Sequence, residues 1–145
     1  MNVHALVVDD SGIMRKMVMR ALKESELAHF SFTEAVDGQD GIEKFDEQTT
    51  QMIFVDWNMP RMNGVEFIRA VRAKAKKHVP IVMITTEGSM GKMDEAMEQV
   101  GIDKYIAKPF TADGLKVRLG SLFTELAEAQ SKPKGFFGKL AQKIA

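Results

Sequence analysis

The chain has 145 residues, enough for one domain and a short appendage. Its 20 basic and 20 acidic residues cancel, so no bulk charge directs it to nucleic acid or to an anionic membrane. Cysteine is absent, which excludes disulfides, thiolate metal sites and thiol nucleophiles.

In chain order, residues 3–8 form an apolar run that reads as a first strand and ends on Asp9-Asp10. Ser11 is placed as an N-cap, and Ile13, Met14, Met17, Val18, Ala21 and Leu22 then recur at helical spacing. Residues 30–35 read as a second, weaker strand closed by Asp37-Gly38, and a helix follows with Ile42 and Phe45 inward. Met52-Ile53-Phe54-Val55 is a third strand running into Asp56. After the loop Pro60-Arg61-Met62-Asn63-Gly64, a third helix carries Val65, Ile68 and Val71. Pro80 opens a fourth strand, Ile81-Val82-Met83-Ile84, which ends on Thr85-Thr86. Met90, Met93, Met97 and Val100 mark a fourth helix, closed by Gly101; their spacing suits core packing, with a partner surface as the alternative. Residues 104–107 form a fifth strand ending on Lys108-Pro109, and Leu115, Leu119, Leu122 and Leu126 line a long fifth helix.

Five strands alternating with five helices predict an α/β fold, a doubly wound parallel sheet with helices on both faces. Every reactive group then arrives at the same end of a strand, where an open parallel sheet presents its ligand crevice. Several carboxylates crowded together repel unless a cation intervenes, and Mg²⁺ suits a site of carboxylates, water and phosphate. A carboxylate facing a lysine and a threonine hydroxyl could attack phosphorus, with the metal and the ammonium stabilising the charge in transfer.

These residues resemble the response-regulator receiver domains, and most closely the single-domain regulators of chemotaxis. The resemblance rests on Val8-Asp9-Asp10, Asp56-Trp57-Asn58-Met59-Pro60 followed by Met62-Asn63-Gly64, Thr85-Thr86-Glu87, and Tyr105 with Lys108-Pro109-Phe110, in that order and spacing over residues 3–128. It implies a flavodoxin-like sheet of order 2-1-3-4-5. It implies that Asp56 accepts a phosphoryl group, that Asp10 binds Mg²⁺ directly and Asp9 mostly through water, and that the Asn58 backbone carbonyl is a further ligand. Lys108 would contact the phosphoryl oxygens, Thr85 would move toward them, and Tyr105 would change rotamer to fill the space left. Asn58 and Glu87 would tune dephosphorylation, and the Lys108–Pro109 bond would be cis.

The implied activity is a signalling switch, with self-catalysed phosphotransfer and autodephosphorylation in place of enzymatic turnover. The phosphoryl group would come from the phosphohistidine of a sensor histidine kinase (CheA-like). The output would be a protein bound at the fourth helix, fifth strand and fifth helix, for which the flagellar motor switch is the family's leading example; a phosphatase is a further candidate partner. Two other functions stay open: a phosphate sink without output of its own, and a phosphatase with an aspartate nucleophile. Adjacent acids at Asp9-Asp10 and an asparagine at position 58 weigh against the latter.

Taken alone, Asp9-Asp10 also fits an N-cap with a solvated neighbour. Thr85 alone fits a strand-end hydroxyl, and Tyr105 a half-buried aromatic with a wet hydroxyl. Trp57 is placed at the mouth of the site. His4, His29 and His78 lack metal-ligand spacing and read as surface or strand-end residues.

The receiver-like domain is placed at residues 1–129, and residues 130–145 read as a linker and a short basic amphipathic helix. Phe136, Phe137, Leu140, Ala141 and Ile144 share one side of a helical wheel, and the segment has no acid. It could dock on its own domain, on a protein or on a membrane surface. Nothing after the linker is long enough for a helix-turn-helix, so no nucleic-acid partner is expected. The opening residues lack the basic flank and long apolar stretch of a signal peptide, and no apolar run suits a bilayer span. A cytoplasmic location is the expectation.

Overall fold

The computed structural model describes residues 1–86, 98 and 100–131. Five parallel strands, β1 (Asn2–Val8), β2 (His29–Ala35), β3 (Met52–Asp56), β4 (Ile81–Thr86) and β5 (Lys104–Lys108), form one sheet in the order β2-β1-β3-β4-β5. Four helices are described: α1 (Gly12–Ser25), α2 (Gly38–Lys44), α3 (Gly64–Lys74) and α4 (Ala112–Ser131), the last being the fifth helix expected from sequence. The predicted helix over residues 90–100, with Met90, Met93 and Met97, lies outside the described residues except for Glu98 and Val100, both helical. Residues 132–145 also lie outside them. No helix among the described residues is long and apolar enough to cross a membrane.

The central strands read as unbroken apolar runs because both of their faces are buried. Side chains alternate across a strand. Thus Leu6, Val8, Ile53, Val55, Ile81 and Met83 enter one core layer with Phe67, Ile68 and Val71 of α3. Ala5, Val7, Met52, Phe54, Val82 and Ile84 enter the other with Val18 and Leu22 of α1 and Leu115, Leu119 and Leu122 of α4. Helices therefore cover both faces. Edge strand β2 is only partly buried along its length, which is why its sequence signal was weak.

Helix starts follow their caps. The Ser11 hydroxyl accepts from the Met14 N–H at 3.2 Å, and the Asp37 carboxylate accepts from the Asp40 N–H at 2.8 Å. Asn63 and Glu66 form a reciprocal capping box at α3. On α1 the apolar set is wider than its buried face. Val18, Ala21, Leu22 and Ser25 are buried, whereas Ile13 and Met17 stay 76% and 50% exposed. At roughly 100° per residue, Ile13 is turned about 130° and Met17 about 90° from the centre of that face. Phe45 is buried, but it sits just beyond the last residue of α2.

Candidate functional site

Strand register brings the acids level. Val8 pairs with Val55, so Asp9 follows β1 beside Asp56, the last residue of β3. Asp56 in turn pairs with Ile84, and Thr86 with Lys108. Carboxylate oxygens of Asp9, Asp10 and Asp56 lie within 4.8 Å of one another. Asp9 and Asp56 are buried, at 3% and 7% exposed, while Asp10 faces solvent. The Lys108 ammonium donates to Asp56 Oδ1 at 3.2 Å from the far side.

The two buried carboxylates differ in how they are held. Asp9 Oδ1 accepts the Ser11 backbone N–H at 2.9 Å, but Asp9 Oδ2 is buried without a hydrogen-bond partner. Burial pushes the Asp9 carboxyl up to about 6; the Ser11 hydrogen bond opposes this and the neighbouring Asp56 charge adds to it. Burial also raises the Asp56 carboxyl, against the pull of Lys108 and of the Asn58 backbone N–H. A buried carboxylate oxygen with no donor, two further acids beside it and no histidine in the group suit a hard divalent cation with oxygen ligands. Mg²⁺ fits this donor set.

Of the residues singled out from sequence, Asp9, Asp10, Asp56 and Lys108 therefore meet. Thr85 is fully buried at the end of β4, its hydroxyl donating to the Thr86 carbonyl at 3.3 Å. Tyr105 lies three residues before Lys108 on β5, half-buried, with the Arg118 guanidinium stacked 4.7 Å from its ring centre. Asn58 is exposed in the loop after β3. Glu87 lies outside the described residues. Lys108–Pro109 is a cis peptide. Trp57, directly after Asp56, is half-buried and packs against the core layer that holds α3. His4 bridges Ser31 and Thr33, each at 2.7 Å, and His78 contacts Asp103 at 2.7 Å.

Two further residues at the site were given no role of their own from the sequence. A Cβ on Gly64 would stand 2.7 Å from the Asp56 carbonyl oxygen and 3.0 Å from Trp57 Cα, and the Gly64 N–H donates to the Trp57 carbonyl at 2.9 Å. The start of α3 is thus pressed against the backbone that carries Asp56, and only glycine fits there. Arg15, in the first turn of α1, donates from Nη1 to the Asp9 carbonyl at 2.7 Å and from Nε to Glu34 Oε1 at 3.0 Å. The available signal was a cation, with no acid, in a first turn whose dipole disfavours cations.

Residues 5–120 match the family model of the response regulator receiver domain. Chemotaxis protein CheY1 of Helicobacter pylori is 41% identical over 116 residues, covering 79% of this chain and 91% of the relative. Chemotaxis protein CheY-3 of Vibrio cholerae is 36% identical over 126 residues, covering 86% and 95%. Among solved structures, Vibrio cholerae chemotaxis protein CheY4 superimposes with a TM-score of 0.72 at 34% identity, covering 83% of this chain and 98% of that one.

Proposed function

The chain belongs to the response regulator receiver family, and from this premise we propose that it is a phospho-accepting switch of a chemotaxis-type two-component pathway. The observation that carries the reading is the pairing of a buried Asp56 with the Lys108 ammonium at 3.2 Å, beside an Asp9 oxygen that lacks any donor. Asp56 is the nucleophile. A carboxylate oxygen of Asp56 attacks the phosphorus of a kinase phosphohistidine, the P–N bond breaks, and an acyl phosphate forms as imidazole leaves. Asp9, Asp10, Asp56 and the Asn58 backbone carbonyl would hold Mg²⁺. When bound, the ion screens the attacking carboxylate from the phosphoryl oxygens and offsets their charge.

Lys108, paired with Asp56, would follow the charge as it moves from the carboxylate to the phosphoryl oxygens. Partial burial of that pair reduces the dielectric screening by water. Asn58, exposed at the mouth, and Glu87 would set how readily water returns to hydrolyse the acyl phosphate. Thr85, buried one strand away, would turn its hydroxyl from the Thr86 carbonyl toward the new phosphoryl oxygens. Tyr105, half-buried and backed by Arg118, would move into the space released. The signal is then a population shift between two surfaces on the segment over residues 90–100, β5 and α4, and phosphorylation acts by its different free energy in each.

A sensor histidine kinase is the proposed donor, and a protein docking on that surface the proposed output. The names of the relatives favour a chemotaxis pathway, and the flagellar motor switch is the output proposed. The test uses the chain's single tryptophan. Trp57 adjoins Asp56, so its fluorescence should respond saturably to Mg²⁺, and again to acetyl phosphate in the wild type but not in Asp56→Asn. A second response that persists in Asp56→Asn would remove Asp56 as the acceptor.

A further inference from the structure

We infer that Arg15 is a positioning residue for the acid pair, holding the Asp9–Asp10 peptide in the orientation that metal binding requires. The inference rests on the proposed Mg²⁺ role of these acids. The Asp9 backbone is clamped on both sides although it lies past the end of β1. Its N–H donates to the Ala35 carbonyl at 3.2 Å, and its C=O accepts the Arg15 Nη1 at 2.7 Å. That carbonyl belongs to the planar unit that continues into Asp10. Fixing it fixes the direction in which the Asp10 backbone leaves Asp9, and so where the solvent-facing Asp10 carboxylate starts from.

Arg15 is suited to this task and is itself held in place. Its side chain is only 14% exposed, so the bond to the carbonyl is shielded from water. Its Nε is anchored on Glu34 of β2, and Glu34 in turn is tied to α2 through the Lys44 ammonium, which donates to the Glu34 carbonyl at 2.8 Å. The chain also passes close over the guanidinium: a Cβ at Gly12 would lie 3.3 Å from Arg15 Nη2. The planar fork lets one side chain reach a carbonyl and a carboxylate at once, which an ammonium cannot reproduce with the same geometry. A cation this near a metal site would repel the ion, and Glu34 offsets that charge. If Arg15 served only to tie α1 to β2, the Glu34 pair alone would suffice. Its shortest bond is instead to the backbone that joins two of the acids.

The test is a Mg²⁺ titration of the full chain, read by Trp57 fluorescence, on wild type, Arg15→Ala, Arg15→Lys and Glu34→Gln, with urea unfolding of each metal-free protein alongside. Groups that orient metal ligands typically contribute about 10- to 100-fold in affinity. Arg15→Ala should therefore weaken Mg²⁺ binding about tenfold or more. Arg15→Lys, which retains one donor, should fall between it and wild type. Glu34→Gln, which keeps an acceptor for Nε, should change affinity by less than about threefold. An Arg15→Ala affinity within twofold of wild type would overturn the inference, as would a loss of affinity that simply tracks the urea midpoint across all four proteins. Should Arg15→Ala not fold, Arg15→Lys decides on the same terms. A wild type that does not respond to Mg²⁺ at all would overturn the metal reading itself, and the inference with it.

Discussion

Asp9 is a group whose chemistry works against the fold. Its Oδ2 is buried without a donor and its carboxyl is pushed up to about 6 from 3.8, so the folded state disfavours the charge it carries at neutral pH. A rise of roughly two units corresponds to about 3 kcal/mol, an upper figure for what neutralising the group returns. Asp9→Asn keeps the size of the side chain and an acceptor for the Ser11 N–H, and sets an amide N–H₂ beside the Asp10 and Asp56 carboxylates, but burying that amide takes back part of the return. The expected net gain is therefore about 1–2 kcal/mol in the metal-free protein, or roughly 4–8 °C in melting temperature. The pH dependence has a definite sign. The unfolded carboxyl loses its proton near 3.8 and the folded one near 6, so the contribution of Asp9 to wild-type stability falls as pH rises between those values. The advantage of Asp9→Asn should thus be small near pH 4, open up to about pH 6 and level off above 7. Mg²⁺ should reverse the trend, since an ion at 100 times its Kd adds about 2.7 kcal/mol to a protein that binds it only when folded, and Asp9→Asn would bind it more weakly. Urea unfolding at pH 4, 6 and 7.5, with and without Mg²⁺, provides the measurement. An Asp9→Asn protein no more stable than wild type at pH 7.5 without Mg²⁺, or an advantage independent of pH, would refute the reasoning.

Two further substitutions probe how the site is supported. Gly64→Ala forces a Cβ against the Asp56 carbonyl and Trp57 Cα, and both neighbours are backbone; a loss of about 1–3 kcal/mol is expected from urea unfolding, together with a shifted Trp57 emission, and an unchanged midpoint would show that the loop yields freely. Asp103 accepts from Arg72 Nη2 at 3.1 Å, His78 Nε2 at 2.7 Å and the Ile81 N–H at 2.8 Å, at the end of the sheet away from the acids. Asp103→Ala should cost about 1–3 kcal/mol by stranding the Ile81 donor, with Mg²⁺ affinity unchanged; weakened Mg²⁺ binding would show that the two ends of the sheet are coupled.

The strand pattern, the Ser11 cap and the acids at strand ends were legible in the sequence for a local reason. A strand buried on both faces must be apolar at every position, and the first polar residues after it mark where the crevice begins. Leu6 to Val8 before Asp9, and Ile53 to Val55 before Asp56, show this directly, and Ser11 caps α1 through a bond to the residue three positions on. The long Leu115-Leu119-Leu122 face of α4 followed from periodicity alone.

What the tertiary structure decided are the contacts that join separate elements. No local pattern says that Arg15 bonds the Asp9 carbonyl while leaning on Glu34, 19 residues away. Nor does any pattern say that Gly64 abuts the Asp56 carbonyl, that Ile13 and Met17 turn from the core, or that Trp57 packs against it. The same holds for electrostatics: Asp9 and Asp56 are identical side chains in sequence, yet one is paired with Lys108 and the other has an oxygen without a donor. A residue's chemistry is set by its type, but its charge state and its partners are set by burial and by distances across the fold. The sequence by itself determined which groups arrive at the crevice. The packing of β1, β3, β5 and α1 around them determined which are free to bind a cation.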